Sequence, residues 1–197
     1  SDHADTLTGS TAAETLLGGA GADMLAGGNG DDRVDGGEGA DSLSGGDGAD
    51  TLLGGDGHDS LFGGAGTDMA SYADATSSVT VNLGTGAATG GAGTDSLSSI
   101  EVVVGSGHAD TLTGGTGAAT LLAGNGDDRI AGGSGNDSLD GGAGTDIASY
   151  AAATSGVVVN LGTGTATGGA GTDSLSNIEV VVGSGHADTL TGGTGAD

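Results

Sequence analysis

Isolated apolar side chains recur along this chain at a period that belongs to neither a helix nor a simple strand. From residue 18 they stand at Leu25, Val34, Leu43, Leu52 and Leu61, one every nine residues, closing on the small Ala70. The polar stretches between them are copies of one another. Residues 18–71 read GGAGADMLA, GGNGDDRVD, GGEGADSLS, GGDGADTLL, GGDGHDSLF and GGAGTDMAS, or Gly-Gly-x-Gly-x-Asp-x-U-x with U apolar. A helix is excluded, because Gly recurs every second or third position at ~1 kcal/mol each relative to Ala. The triplet around U predicts a minimal strand with its middle side chain inward and its neighbours outward. The six residues before it must reverse the chain, and Gly at the first, second and fourth positions permits the backbone angles that requires. Two nonapeptides then make one 18-residue coil. Coils stacking at the ~4.8 Å spacing of paired strands give a parallel β-solenoid in which repeats two apart lie on top of one another.

The same register organises the rest of the chain. Residues 1–71 form a first array, whose opening copies SDHADTLT and GSTAAETLL are degenerate. A spacer, 72–104, carries two strand-like runs, Val79–Leu83 and Ile100–Val104, around a lone nonapeptide at 90–98. A second array of five nonapeptides covers 105–149. The spacer returns at 150–182 with a lone nonapeptide at 168–176, differing from the first spacer only at Asp74/Ala152, Ser78/Gly156, Thr80/Val158, Ala87/Thr165 and Ser99/Asn177. Residues 183–197 begin a third array. A 78-residue period, from Tyr72 to Tyr150, thus overlies the nine-residue one, as tandem duplication of a module produces. The alternation of Val79, Val81 and Leu83 predicts that the spacers continue one solenoid with longer strands, and the chain reads as an excerpt of a longer repetitive protein.

Charge changes the picture. There are 27 acidic residues against Arg33 and Arg129, a formal net charge of −25, with 48 Gly and no Cys or Pro. Such a chain repels itself and has little to bury, the composition of disorder. Nucleic acid and anionic membranes, which need basic patches, are poor partners; no apolar run approaches a membrane span, and no signal peptide is present in this stretch. Without Cys there is neither a disulfide framework nor a thiolate metal site. Carboxylates recur every nine residues at 5, 14, 23, 32, 41, 50, 59 and 68, and stacking brings those of repeats two apart together. A hard divalent cation between the turns would relieve their repulsion and supply the missing stability. Calcium, which takes 6–8 oxygens from carboxylates and carbonyls, suits such turns better than magnesium or zinc.

The GGxGxDxUx array resembles the nonapeptide of the repeats-in-toxin (RTX, hemolysin-type) calcium-binding family. The resemblance implies a right-handed parallel β-roll with several calcium ions between stacked Gly-Asp turns. It implies ligand carboxylates at Asp5, Asp23, Asp32, Asp41, Asp50, Asp59 and Asp68, at Asp110, Asp128, Asp137, Asp146 and Asp188, and at Asp95 and Asp173 in the lone nonapeptides. In the first array it pairs 5 with 23, 23 with 41 and 41 with 59 along one edge, and 14 with 32, 32 with 50 and 50 with 68 along the other. The glycines of the turns supply carbonyls: Gly18, Gly19 and Gly21; Gly27, Gly28 and Gly30; Gly36, Gly37 and Gly39; Gly45, Gly46 and Gly48; Gly54, Gly55 and Gly57; Gly63, Gly64 and Gly66; Gly132, Gly133 and Gly135; Gly141, Gly142 and Gly144. Two departures weaken the pattern. Glu14 replaces an Asp in a turn that has lost two glycines, and Ala119 removes a ligand from the step shared with Asp137.

Other residues have plainer readings. Asp31 and Asp127, beside the sixth position, read as solvated, as do the tip acids Glu38, Asp47 and Asp56. His3, His108 and His186 lack neighbouring ligands for a transition metal. Arg33 and Arg129 follow Asp-Asp pairs and read as local charge compensation, and Tyr72 and Tyr150 as caps of the apolar channel. No nucleophile-base pairing or aromatic platform is visible, so no catalysis is expected within these residues. The reading is a calcium-folded structural module of a secreted protein: an adhesin stalk, a surface-layer element or a filament subunit, able to pair end to end. The resemblance further implies type I secretion, and with it the surface of a Gram-negative bacterium. One alternative is the RTX secretion and folding domain of a larger enzyme or toxin. A lesser one is an ice-binding solenoid, since Thr-x-Thr occurs at 6–8, 111–113 and 189–191.

Overall fold

The computed structural model describes residues 2–193; the last four residues of the expected third array, 194–197, lie outside the described residues. All regular structure in that range is strand. The first array supplies β1 (Thr6–Thr8), β2 (Thr15–Ala20), β3 (Met24–Asn29), β4 (Arg33–Gly39), β5 (Ser42–Gly48), β6 (Thr51–Gly57), β7 (Ser60–Gly66) and β8 (Met69–Ser71). The first spacer holds β9 (Val79–Asn82), β10 (Ala87–Gly90), β11 (Gly93–Ser98) and β12 (Val102–Val104). The second array gives β13 (Thr111–Thr113), β14 (Thr120–Asn125), β15 (Arg129–Ala131), β16 (Ser138–Ala143) and β17 (Ile147–Ser149). The second spacer follows with β18 (Val157–Asn160), β19 (Thr165–Gly168), β20 (Gly171–Ser176) and β21 (Val180–Val182), and then β22 (Thr189–Thr191).

Within the arrays each strand pairs in parallel with the strand two on, at a register of 18 residues: Leu25 faces Leu43, and Val34 faces Leu52. The fold is therefore the parallel β-roll that the two-repeat coil predicts. Pairing runs past the triplet into the turn, so that Gly37 faces Gly55 and Gly46 faces Gly64. That continuity is why β4 to β7 reach seven residues each. It also explains the second-position glycine. Gly37 has φ +102°, and a Cβ there would collide with the carbonyl of Gly19 in the coil beneath. The core is the column of U side chains, with Leu25, Val34, Leu43, Leu52 and Leu61 each 1% exposed or less.

The strands stack in two columns. The first runs β1, β3, β5, β7, β11, β10, β9, β13, β15, β17, β21. The second runs β2, β4, β6, β8, β12, β14, β16, β20, β19, β18, β22. The spacers are thus hydrogen-bonded to the array strands on either side, but not by long strands. Each contributes a three-stranded meander whose middle strand, β10 or β19, runs antiparallel to both neighbours. Val79 and Val81 point inward as expected, whereas Leu83 is only half-buried where the chain turns towards Gly86 at φ +66°. The first meander sits in the first column and the second in the second column.

Candidate metal centre

The sixth-position aspartates are the unusual part of this interior. Asp23, Asp32, Asp41, Asp50, Asp59, Asp68, Asp95, Asp110, Asp128, Asp137, Asp146 and Asp173 are all 3% exposed or less, while Asp5 and Asp188 are half-buried. A side chain two residues before the inward-facing U points inward as well, because strand positions alternate. One oxygen of each buried carboxylate is fixed. Asp23 Oδ1 accepts the backbone N–H of Asp5 at 2.7 Å, and Asp41 Oδ1 that of Asp23 at 2.7 Å. Asp32 accepts from Glu14, Asp50 from Asp32, Asp59 from Asp41 and Asp68 from Asp50, at 2.7–2.9 Å. The second array repeats this with Asp128 on Asp110, Asp137 on Ala119 and Asp146 on Asp128.

In nine of them the other oxygen has no partner. Oδ2 of Asp23, Asp32, Asp41, Asp50, Asp59, Asp68, Asp128, Asp137 and Asp146 is buried without a hydrogen bond. A buried charged oxygen with no compensation is costly. Its surroundings say what compensates it. The space a Cβ would fill at Gly18 is taken by Asp23 Oδ2 and, 2.6 Å away, the carbonyl of Gly36 two turns on. At Gly27 the same space meets Asp32 Oδ2 and the Gly45 carbonyl, and at Gly36 it meets Asp41 Oδ2 and the Gly54 carbonyl. Five further first-position glycines, Gly45, Gly54, Gly63, Gly132 and Gly141, likewise lie against the carboxyl-bearing side chain of the Asp five residues on. Among the described residues no three acidic or histidine side chains converge, so any cation here draws on few carboxylates and several carbonyls. That oxygen-only set fits calcium, and the residues present fit the ion.

Burial pushes these carboxyls up. Asp59 and Asp128 are raised to about 6, first by desolvation and then by neighbouring aspartates, Asp41 and Asp95 around the former and Asp110 and Asp146 around the latter. Asp41, Asp50, Asp137 and Asp146 shift the same way for the same leading reason.

Other carboxylates of the register are satisfied within the protein. Where the second Gly is Ser, the serine closes on the acid. Ser106 donates Oγ–H to Asp110 Oδ1 and N–H to Asp110 Oδ2, and Ser184 does the same to Asp188. Ser10 holds Glu14 through both groups. These hydrogen bonds keep Glu14 and Asp188 below the usual carboxylate range. At Asp95, Oδ1 accepts from Asp59 N–H at 3.1 Å while Oδ2 takes the Tyr72 phenol at 3.0 Å. Tyr72 is therefore a buried donor as well as part of the core, its own pKa raised by burial and by the Asp95 charge. Burial first, and then the charge of the adjacent Asp173, raise the pKa of Tyr150 in the same way.

Several residues take places that sequence reasoning did not foresee. Glu101 Oε2 accepts Asp68 N–H at 3.0 Å and Glu179 Oε2 accepts Asp146 N–H at 2.9 Å. Both glutamates thus continue the ladder in spacers that break the nonapeptide. The signal was present: Glu101 lies two residues before the buried Val103, as each Asp lies two before its U. Asp31 and Asp127 are exposed but accept the N–H of Ala49 and Thr145 in the coil above, both at 2.8 Å. Arg33 pairs with Asp35 at 3.0 Å rather than with the preceding Asp-Asp, and Arg129 donates to Ser149 Oγ at 2.7 Å.

The family model described as RTX calcium-binding nonapeptide repeat (4 copies) matches residues 1–34, 8–43, 35–70, 104–139, 113–148 and 178–197. No curated protein matches the chain significantly.

Proposed function

The chain belongs to the family of RTX calcium-binding nonapeptide repeats, and we propose that its calcium-loaded roll acts outside the cell as a rigid rod. The observation that carries this reading is the row of nine buried, unpartnered carboxylate oxygens on stacked turns. In the metal-free state they repel one another and lack compensation, so binding energy becomes folding energy. A chain that is unfolded at cytosolic calcium and folds at the millimolar concentrations typical of extracellular calcium modules suits export followed by folding outside, and RTX repeat proteins are typically secreted. The role is structural rather than catalytic: the two cationic side chains are engaged in surface contacts, and the buried acids serve the ladder. An adhesin stalk, a surface-layer element or a filament subunit on a Gram-negative cell would each use such a rod. End-to-end association through open strand edges belongs to the proposal; a monodisperse monomer in calcium at high protein concentration would count against that part.

The test is circular dichroism during a calcium titration with chelator reversal. The expected outcome is a disordered spectrum in chelator and a β-rich one in millimolar calcium, interconverting freely. An equally folded chain in both conditions removes the basis of the reading.

A further inference from the structure

The nonapeptide rule leaves Asp68 and Asp146 unfinished. Each is the last sixth-position acid of its array, and the residue 18 further on is Gly86 or Gly164, with no side chain to offer. Yet both aspartates are 0% exposed, and each has an Oδ2 with no partner, the state shared by Asp23, Asp32, Asp41 and Asp50, each of which faces the turn of another aspartate. The spacer supplies what lies above them. Strand β12 stacks on β8 with Val103 over Ala70, and β21 stacks on β17 with Val181 over Ala148. This register brings Glu101 and Glu179 to the place of the missing aspartates, where each accepts the N–H of the acid below. The carbonyl set is completed as well. At Gly63 the space of a Cβ is taken by the Ser99 carbonyl and by Asp68 Oδ2, and at Gly141 by the Asn177 carbonyl and the Asp146 carboxyl group. At Gly18, Gly27 and Gly36 the corresponding carbonyl comes from the first-position glycine two repeats on. Ser99 and Asn177 both have φ +52°, the only non-glycine residues with positive φ among the described residues. Although the spacer copies differ in side chain here, the backbone is held in the same sparsely populated region. What the two copies share at this position is the carbonyl.

We infer that Asp68 with Glu101 and the Ser99 carbonyl, and Asp146 with Glu179 and the Asn177 carbonyl, form two further calcium sites outside the nonapeptide motif. They carry the metal ladder from each array into the spacer stacked on it. Above Glu101 the ladder pauses, because Ala119 brings no carboxylate. The inference rests on the calcium reading of the arrays, and the experiment separates the two.

Calcium bound per chain is counted by equilibrium dialysis with atomic emission and by calorimetry for the wild type, for E101Q/E179Q and for the control E38Q/D56N. The control removes two acids at exposed turn tips. Glutamine keeps an oxygen to accept the Asp68 and Asp146 N–H groups, so the fold should survive, and dichroism in saturating calcium checks that it does. The expected result is two fewer ions, or two sites weakened at least tenfold, in E101Q/E179Q and an unchanged count in the control. Equal counts and affinities in all three overturn the inference while leaving the arrays' calcium intact; a wild type that binds none overturns the calcium reading itself. Anomalous diffraction from wild-type crystals grown in calcium needs no variant. A peak between Asp68, Ser99 and Glu101 is expected, and its absence beside filled array sites overturns the inference.

Discussion

At the scale of single residues, the carboxylates sort by what satisfies their second oxygen: serine at Glu14, Asp110 and Asp188, the Tyr72 phenol at Asp95, and nothing from the protein at nine others. Asp41 belongs to the last group. Asp41→Asn would keep an oxygen for the Asp23 N–H but lose the charge facing the Gly54 carbonyl. Outer-shell losses alone weaken metal affinity about 10–100-fold, so the calcium midpoint for folding should rise at least about tenfold in a dichroism titration. An unchanged midpoint would remove Asp41 from the ladder. Protons should compete with the metal. Asp59 and Asp128 sit near 6 in the folded chain against an ordinary 3.8. A folded-state pKa raised in this way contributes stability that is fully present below about 3.8 and lost as pH rises through about 6. In chelator, the strand content should therefore increase on acidification from pH 7 to pH 4. A far-ultraviolet spectrum that stays flat over that range would contradict the burial argument.

At the scale of elements, the array strands were legible because one period fixes everything about them: inward U, inward Asp, reversing glycines and a coil of two repeats. The spacers were legible only in part. Alternation at Val79 and Val81 marks a strand but carries no information about its direction, and the expected long strand is a short one followed by a reversal at Gly86. Asn82-Leu83-Gly84-Thr85-Gly86 between apolar-containing runs is a hairpin signal of the kind that glycine-containing loops give, and it outweighs the pull of the solenoid register. Glu101 escaped because the turn before it has lost its glycines, although its spacing to Val103 is intact. The Tyr72–Asp95 contact could not be read at all, since it joins residues 23 apart that meet only once the meander has folded back.

At the scale of the whole molecule, the meanders have a geometric effect. In the first column three strands, β11, β10 and β9, stand between β7 and β13, while in the second column β12 alone stands between β8 and β14. Two additional strands at ~4.8 Å make one side of the roll about 10 Å longer there. The next spacer places its three strands, β20, β19 and β18, in the opposite column. The sides alternate because the array between the spacers has five nonapeptides, an odd number of half-coils. Each spacer is a shim driven under one side of a post, and an odd array drives the next shim under the other. A concatemer of such modules would run straight on average, with a spatial repeat of two sequence periods. Removing residues 132–140 from every module makes the array even and puts all the shims on one side. Small-angle scattering should then report a curved particle with a shorter maximum dimension than the parent's length predicts; equal straightness would refute the shim. Gain or loss of a single nine-residue unit thus steers the rod, a change of course written in the parity of a repeat count rather than in any side chain.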